Sequence, residues 1–172
     1  LGTVRYYQQQ FDEARHLLER ALQLNAREAN AYNTLALIAI RQGRHDEALA
    51  MINKAITISP DDAYYRNNRG YILLMMNNDE EALADINYSI AADPYNGWAY
   101  RNKGIYYYRR GDYAQAIALL QRAEQSNDFI EQLHYYLALA YTKTGDDEKA
   151  CIAFNKAKSY EKIDDAAFGK CR

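Results

Sequence analysis

The sequence has little of what several classes of protein require. Its 172 residues include two prolines, two cysteines and three histidines. Two cysteines do not make a disulfide framework, so we expect Cys151 to be a buried, inert thiol that is not bonded to Cys171. No apolar run approaches the ~20 residues that a membrane-spanning helix needs. The histidines are scattered, and no HExxH, paired CxxC, GxSxG or P-loop pattern occurs. We therefore predict no enzyme, no metal and no cofactor.

The charge is also unremarkable, because the formal net charge is −2 and the isoelectric point is about 5.9. A duplex nucleic-acid binder would carry a broad positive field, so nucleic acid is not expected as a partner. An apolar fraction of 49% with 26% charged residues is typical of a folded, globular chain. There is no secretory signal pattern, but Leu1 is not a natural start, so we expect upstream sequence to be missing. The sequence does not determine the cellular compartment, although it slightly favours the cytoplasm.

What the sequence does contain is a period of 34 residues, first seen in the spacing of Pro60 and Pro94. An alanine series and a bulky apolar series follow the same period. The alanines are Ala14, Ala48, Ala82, Ala116 and Ala150, and the bulky residues are Leu18, Ile52, Ile86, Leu120 and Phe154. Repetition at a fixed period predicts a stack of similar units.

Each unit reads as two helices joined by a turn. In the unit that contains Pro60, apolar residues recur at helical spacing over 31–42 and again over 46–59. Gly43 stands between them, where a positive φ ends the first helix, and Asp46 is expected to cap the second. Pro60 then prevents the second helix from continuing. A unit is therefore predicted to be a helical hairpin.

The chain resembles the tetratricopeptide repeat family over essentially its whole length. The residues that carry the resemblance are Tyr32, Leu35, Ala48, Ala55 and Pro60 in one unit, Tyr100, Gly104, Tyr107, Gly111, Asp112, Tyr113, Ala116, Leu120 and Ala123 in another, and Leu137, Ala138, Tyr141, Gly145, Ala150, Phe154 and Ala157 in the last. The resemblance implies an all-α, right-handed superhelical solenoid of antiparallel helix pairs. We predict one array of about five units: a truncated repeat at 1–28, complete repeats at 29–62, 63–96, 97–130 and 131–164, and a partial or capping helix at 165–172.

Some positions depart from the family pattern. Arg69 stands where leucine is usual, and we expect its stem to pack while its head reaches solvent or pairs with Asp85. Asp128 replaces an expected proline. Gly70 and Gly104 are expected where the two helices of a hairpin approach closely, because a larger side chain would force them apart.

In the family, the first helix of each hairpin lines a concave face, and the resemblance places a groove on that face here. An aromatic and aliphatic strip with arginine and lysine at its border is the pattern of a binding hot spot. Arg41, Arg101, Arg109 and Lys143 form the border. The predicted groove residues are Tyr64, Asn67, Asn68, Tyr71, Trp98, Arg101, Asn102, Ile105, Tyr108, Arg109, Tyr135 and Leu139.

The groove residues predict a scaffold or adaptor that binds a peptide or protein segment with apolar anchors and some negative charge. Asn68 and Asn102 resemble the asparagines with which some family members hold a ligand backbone. The carboxylate clamp of the chaperone-binding members is not predicted, because Leu37, Tyr71 and Trp98 stand where it needs polar or basic groups. The alternative function is a structural spacer or self-association segment of a larger multidomain protein. Concave tyrosines that merely stack on one another remain a third interpretation.

Overall fold

The computed structural model of the protein describes residues 1–126 and 129–161, together with Ile163, Phe168 and Cys171. Over these residues the fold is all α-helical and contains no strand. The helices are α1 (Gly2–Tyr7), α2 (Phe11–Leu24), α3 (Ala29–Arg41), α4 (His45–Ile58), α5 (Ala63–Met75), α6 (Asp79–Ala92), α7 (Gly97–Arg109), α8 (Tyr113–Glu124), α9 (Leu133–Thr144) and α10 (Asp147–Tyr160). The prediction for Asp128 and most of the one for 165–172 lie outside the described residues.

Internal contacts divide the chain into two compact units, Leu1–Ser89 and Ile90–Arg172. In the N-terminal unit, α1 packs against α2 and α3 against α4. In the C-terminal unit, α7 packs against α8 and α9 against α10. Consecutive helices thus form pairs, as the alternation of apolar segments and turns predicts.

The small residues of the 34-residue period lie where paired helices approach closely. All five alanines of the series are at most 2% exposed. A Cβ atom on Gly104 would lie 2.6 Å from Leu120 Cγ and 3.3 Å from the carbonyl oxygen of Ala116. Gly70 has the same surroundings at Ile86 and Ala82. Because no side chain fits there without displacing the second helix, the predicted close approach is confirmed.

The turns inside three helix pairs use glycine in the left-handed region, where a Cβ atom would add strain. Gly43, Gly111 and Gly145 have φ of 70°, 81° and 80°. The residue after each glycine is the N-cap: Asp112 accepts a hydrogen bond from the Gln115 amide at 3.1 Å, and Asp146 accepts one from Lys149.

The expected cap at Asp46 is wrong. Arg44 occupies the N-cap position of α4. Asp46 lies within the first turn, where its negative charge interacts favourably with the helix dipole. The period shows the reason, because Arg44, not Asp46, stands 68 positions before Asp112.

The expected pair of Arg69 and Asp85 is confirmed, and both residues lie in the N-terminal unit. Arg69 Nε donates to Asp85 Oδ2 at 2.6 Å, and Arg69 Nη2 donates to Asp85 Oδ1 at 2.9 Å. Asp85 is 4% exposed. The hydrogen bonds from Arg69 to Asp85 raise the pKa of the guanidinium against the opposing effect of burial. These two hydrogen bonds hold the buried Asp85 carboxylate at a position where the repeat pattern predicts an apolar residue.

The expectation of two unbonded cysteines is wrong. Cys151, on α10, and Cys171 form a disulfide, and their Cα atoms are 5.1 Å apart. That Cα separation lies within the usual range for a disulfide. Phe168 and Cys171 both lie against α10, so the two sulfur atoms meet although the cysteines are 20 positions apart.

Candidate functional site

The predicted groove residues fall in both units, and each unit is described by itself. In the N-terminal unit, four of them lie on α5, whose first turn is capped by Asp62. Tyr64 is 42% exposed and Tyr71 is half-buried. Asn67 and Asn68, in contrast, are 1% and 8% exposed. Of the four predicted residues on this helix, the two tyrosines are therefore the ones that offer surface to a partner.

Asn68 forms part of a buried polar contact between first helices. Its Nδ2 atom donates to Asn33 Oδ1 on α3 at 2.8 Å. A buried amide that is already hydrogen-bonded gains little from exchanging that bond for one to a ligand backbone. In this structure Asn68 therefore fixes α5 against α3, and this contact was not foreseen from the sequence.

Tyr64 is coupled to Tyr7, a residue of α1 that sequence reasoning missed. Burial, followed by the charge interaction and hydrogen bond with Tyr7, raises the pKa of Tyr64 to about 12. Tyr7 is 70% exposed. The Tyr64 phenol therefore keeps its proton at physiological pH and remains a hydrogen-bond donor.

In the C-terminal unit, α7 buries half of the predicted set. Ile105 is fully buried, and Asn102 and Arg101 are 1% and 5% exposed. Trp98 is half-buried, and the Arg101 guanidinium carbon lies 5.1 Å from the centre of its ring. The expectation that Arg101 and Ile105 present open surface is therefore wrong. Arg101 packs on Trp98 by a cation–π contact and helps to fix the indole.

Two of the remaining predicted residues, Tyr108 and Tyr135, belong to a connected aromatic group on α7 and α9. The Tyr108 and Tyr136 ring centres are 5.6 Å apart, as are those of Tyr135 and Tyr136. Burial, with smaller effects of Tyr113 and Tyr135, raises the pKa of Tyr108. We use the name α7–α9 aromatic surface for these three rings together with the half-buried apolar side chains of Trp98 and Leu139 on the same two helices. It consists of Trp98, Tyr108, Tyr135, Tyr136 and Leu139, all half-buried.

Basic residues stand at the ends of the two helices that carry this surface. Arg109, in the last turn of α7, and Lys143, in the last turn of α9, are both exposed. Tyr136 was not among the predicted groove residues, although it stands 34 positions after Asn102 in the repeat. Its neighbour Tyr135 was the available signal, since adjacent tyrosines at a helix surface can both reach a facing ring.

The described part of the chain contains neither a metal cluster nor a membrane-spanning helix. Within residues 1–126 and 129–161, and at the three isolated described positions, no group of three histidine, cysteine or acidic side chains could hold a metal ion. Among the described helices, none is both long enough and apolar enough to cross a membrane.

Comparison with known proteins establishes the family. The tetratricopeptide repeat family model matches residues 1–63 and 101–167, so the chain belongs to that family. No curated protein matches the chain. Several solved structures share the fold. PilW, described as a widely conserved type IV pilus biogenesis factor, is 26% identical, with a TM-score of 0.77 over 92% of this chain and 74% of PilW.

Two further structures show the same fold at lower identity. A thermophilic tetratricopeptide repeat protein of Thermus thermophilus is 21% identical, with a TM-score of 0.80 over 91% of this chain and 86% of its own. The Cut9–Hcn1 structure from the APC/C contains a chain 18% identical, with a TM-score of 0.82 over 91% of this chain and 31% of that one. Such identities support a shared helical-repeat fold and, with the family match, a protein-interaction scaffold in general.

Proposed function

We propose that the chain is a non-enzymatic scaffold or adaptor that binds an extended protein segment on its α7–α9 aromatic surface. The observation that carries the proposal is the cluster of half-buried rings on two adjacent first helices, with exposed Arg109 and Lys143 beside it. Tryptophan, tyrosine and arginine are the residues most enriched in binding hot spots. Partly exposed rings held by their neighbours lose little conformational freedom when a partner covers them.

The chemistry of the surface indicates the chemistry of the partner. Rings of Trp98, Tyr108 and Tyr135 favour aliphatic or aromatic anchors, and their polar edges form hydrogen bonds with a peptide backbone. Arg109 and Lys143 favour acidic side chains next to those anchors, mainly by steering the encounter. Tyr64 and Tyr71 offer a second, smaller aromatic contact in the N-terminal unit.

The roles of the buried residues follow from their positions. Arg101 and Ile105 lie beneath the surface and hold Trp98 and α7 in place, while Asn102 is buried as well. Replacement of Arg101 by glutamate would bury a new charge and disturb the fold. Trp98 and Lys143 are better positions for testing binding, because their side chains reach the surface.

The test begins with selection of binding peptides from a displayed random library on the immobilised wild-type chain. Affinities of a selected peptide are then measured by fluorescence anisotropy. Trp98→Ala and Lys143→Glu should each weaken binding, the former by about tenfold or more because it removes a large apolar anchor. Tyr95→Ala and Arg20→Glu are the matched controls, since both residues are exposed and neither lies on α7 or α9. Unchanged affinity of a folded Trp98→Ala variant would refute the proposal.

The alternative, a spacer or self-association segment, is favoured by exposed rings away from this surface. Tyr95 is 88% exposed, and Phe129 and Tyr160 are 57% and 56% exposed with ring centres 5.3 Å apart. Sedimentation velocity over a wide concentration range distinguishes the two functions. A concentration-dependent dimer that Phe129→Ser abolishes would support self-association, whereas a monomer that binds the selected peptide would exclude it.

A further inference from the structure

Phe168 covers an apolar face of α9 and α10 in the C-terminal unit. Its ring stacks on Phe154 of α10 with centres 4.4 Å apart and an interplanar angle of 22°. Its ring also meets Tyr135 of α9 edge-on, with centres 6.3 Å apart. Phe168 is only 5% exposed and belongs to the same core cluster as Leu137 and Phe154. Displacement of this one residue would expose Phe154 and the inner edge of Tyr135.

The 34-residue period explains why Phe168 fits this face. Phe168 lies 68 positions after Tyr100, at the position of the aromatic residue of a first helix. Tyr100 itself is 6% exposed and packs in the same core. Phe154 belongs to the bulky series of the second helices. Phe168 thus fills the place on α9 and α10 that an aromatic residue of a stacked hairpin would fill.

The disulfide holds Phe168 in this place. Cys171 is covalently bound to Cys151 of α10, and its backbone amide donates to the Phe168 carbonyl oxygen at 2.8 Å. Because this hydrogen bond joins Cys171 to Phe168, the disulfide restrains both residues. A single stacked ring holds a segment poorly against the conformational entropy of its backbone. The covalent bond fixes the chain to α10 three positions after Phe168 and so raises the effective concentration of its ring at Phe154.

The disulfide lies outside the fully buried core. Both cysteines are half-buried, so part of each residue reaches solvent. The sequence has no third cysteine that could form a different pair within the chain. Disulfides form and persist in oxidising compartments and are reduced in the cytosol, so the state of this bond depends on where the chain resides.

We propose that the Cys151–Cys171 disulfide is a redox-dependent latch that holds Phe168 over the α9–α10 face and that a dithiol reductant opens. One thiolate of the dithiol attacks a protein sulfur, the Cys151–Cys171 bond breaks, and the departing cysteine takes up a proton. The second thiol resolves the mixed disulfide, which leaves two protein thiols and a disulfide in the reductant. Two electrons and two protons pass to the protein. Release of Cys171 then lets Phe168 leave Phe154 and Tyr135.

Hydrogen exchange of the whole chain, measured by mass spectrometry before and after treatment with dithiothreitol, tests the latch. Reduction should expose two titratable thiols and raise the exchange of α9 and α10 amides by about tenfold, with helix content retained. Oxidised glutathione should reverse both changes. The amides of α3 and α4, in the other unit and without cysteine, are the internal control and should not change.

Two variants separate the latch from a purely structural role. Cys171→Ser should show the fast exchange of the reduced chain and should no longer respond to dithiothreitol. Phe168→Ala keeps the disulfide and should also expose the α9–α10 face, which shows that the ring provides the cover. Unchanged exchange after complete reduction would refute the latch. Loss of helix content in the C-terminal unit on reduction would refute it too, because the bond would then be required for folding.

Discussion

The Arg69–Asp85 pair occupies a place that is apolar in a neighbouring repeat. Arg69 stands 34 positions after Leu35, and Asp85 stands 34 positions after Met51. Met51 packs against the cluster that contains Leu35. We therefore expect the double variant Arg69→Leu with Asp85→Met to reproduce an existing apolar contact on the same backbone. Each single change, in contrast, leaves one charged group of the pair without its partner.

The expected magnitudes follow from the burial of each group. Loss of one member of a buried ion pair costs about 3–5 kcal/mol, because the remaining charge stays desolvated. The Arg69 side chain is 26% exposed and also donates to Asn53 at 3.2 Å, so water and Asn53 offset part of that cost. Asp85→Met should therefore lower the free energy of unfolding by about 2–3 kcal/mol. The double variant should lie within about 1 kcal/mol of the wild type.

Urea unfolding followed by circular dichroism measures these free energies for the wild type, both single variants and the double variant. The cycle gives the coupling between the two positions, which we expect to be favourable by about 2 kcal/mol or more. Arg66 Nη1 lies 3.4 Å from Asp85 Oδ1, so Arg69→Leu should be less damaging than Asp85→Met. A coupling energy near zero would refute the reasoning, since the pair would then contribute no more than two solvent-exposed charges.

Two further changes test the packing and the electrostatics of the C-terminal unit. Gly104→Val should destabilise the unit by about 1–3 kcal/mol, because its side chain would collide with Leu120 and the Ala116 carbonyl; calorimetry against Ala114→Val, on the exposed side of α8, checks this, and an unchanged melting temperature would contradict it. Burial, and then Lys156, lowers the pKa of His134, so the unfolded chain binds a proton more readily than the folded one. The free energy of unfolding should therefore fall as pH drops below about 6.5, and urea titrations at several pH values should show a weaker fall for His134→Tyr.

The helical-hairpin pattern was predictable from the sequence because one contact recurs. A small residue on one helix faces a bulky residue on its partner, and both must repeat at the same interval for the pairs to pack alike. Gly104 and Leu120 show this directly in their close approach. The Arg69–Asp85 pair was predictable for the same reason, since two charges in adjoining apolar registers must meet or remain unpaired.

The disulfide and the extent of the groove were not predictable from the repeat, because neither depends on a contact that recurs in every unit. The Cys151–Cys171 bond depends on the path that the chain takes after α10, and no repeated residue encodes that path. The groove residues were assigned from one helical face, but α7 packs against both α8 and α9 within its unit. Contact on two sides buries Ile105 and Arg101 and leaves a narrower strip near Trp98 and Tyr108. Hydrophobic periodicity shows which face of a helix is buried, but it does not show at what angle two neighbouring helices pack around that helix.

One position of the 34-residue repeat shows that equivalent residues of a repeat fold can make different kinds of contact. Tyr32, Arg66, Tyr100, His134 and Phe168 follow one another at intervals of 34 residues. Tyr100 is a core residue, and Arg66 reaches the carboxylate of Asp85. His134 Nδ1 lies 3.8 Å from Glu124 Oε1, and the His134 ring stacks on Tyr160. Phe168 covers the ring of Phe154. Since the period assigns these residues equivalent places, the differences between them come from side-chain chemistry and from what each neighbouring helix presents. Departures from the repeat pattern are therefore the positions at which this chain acquires properties that the fold alone does not confer.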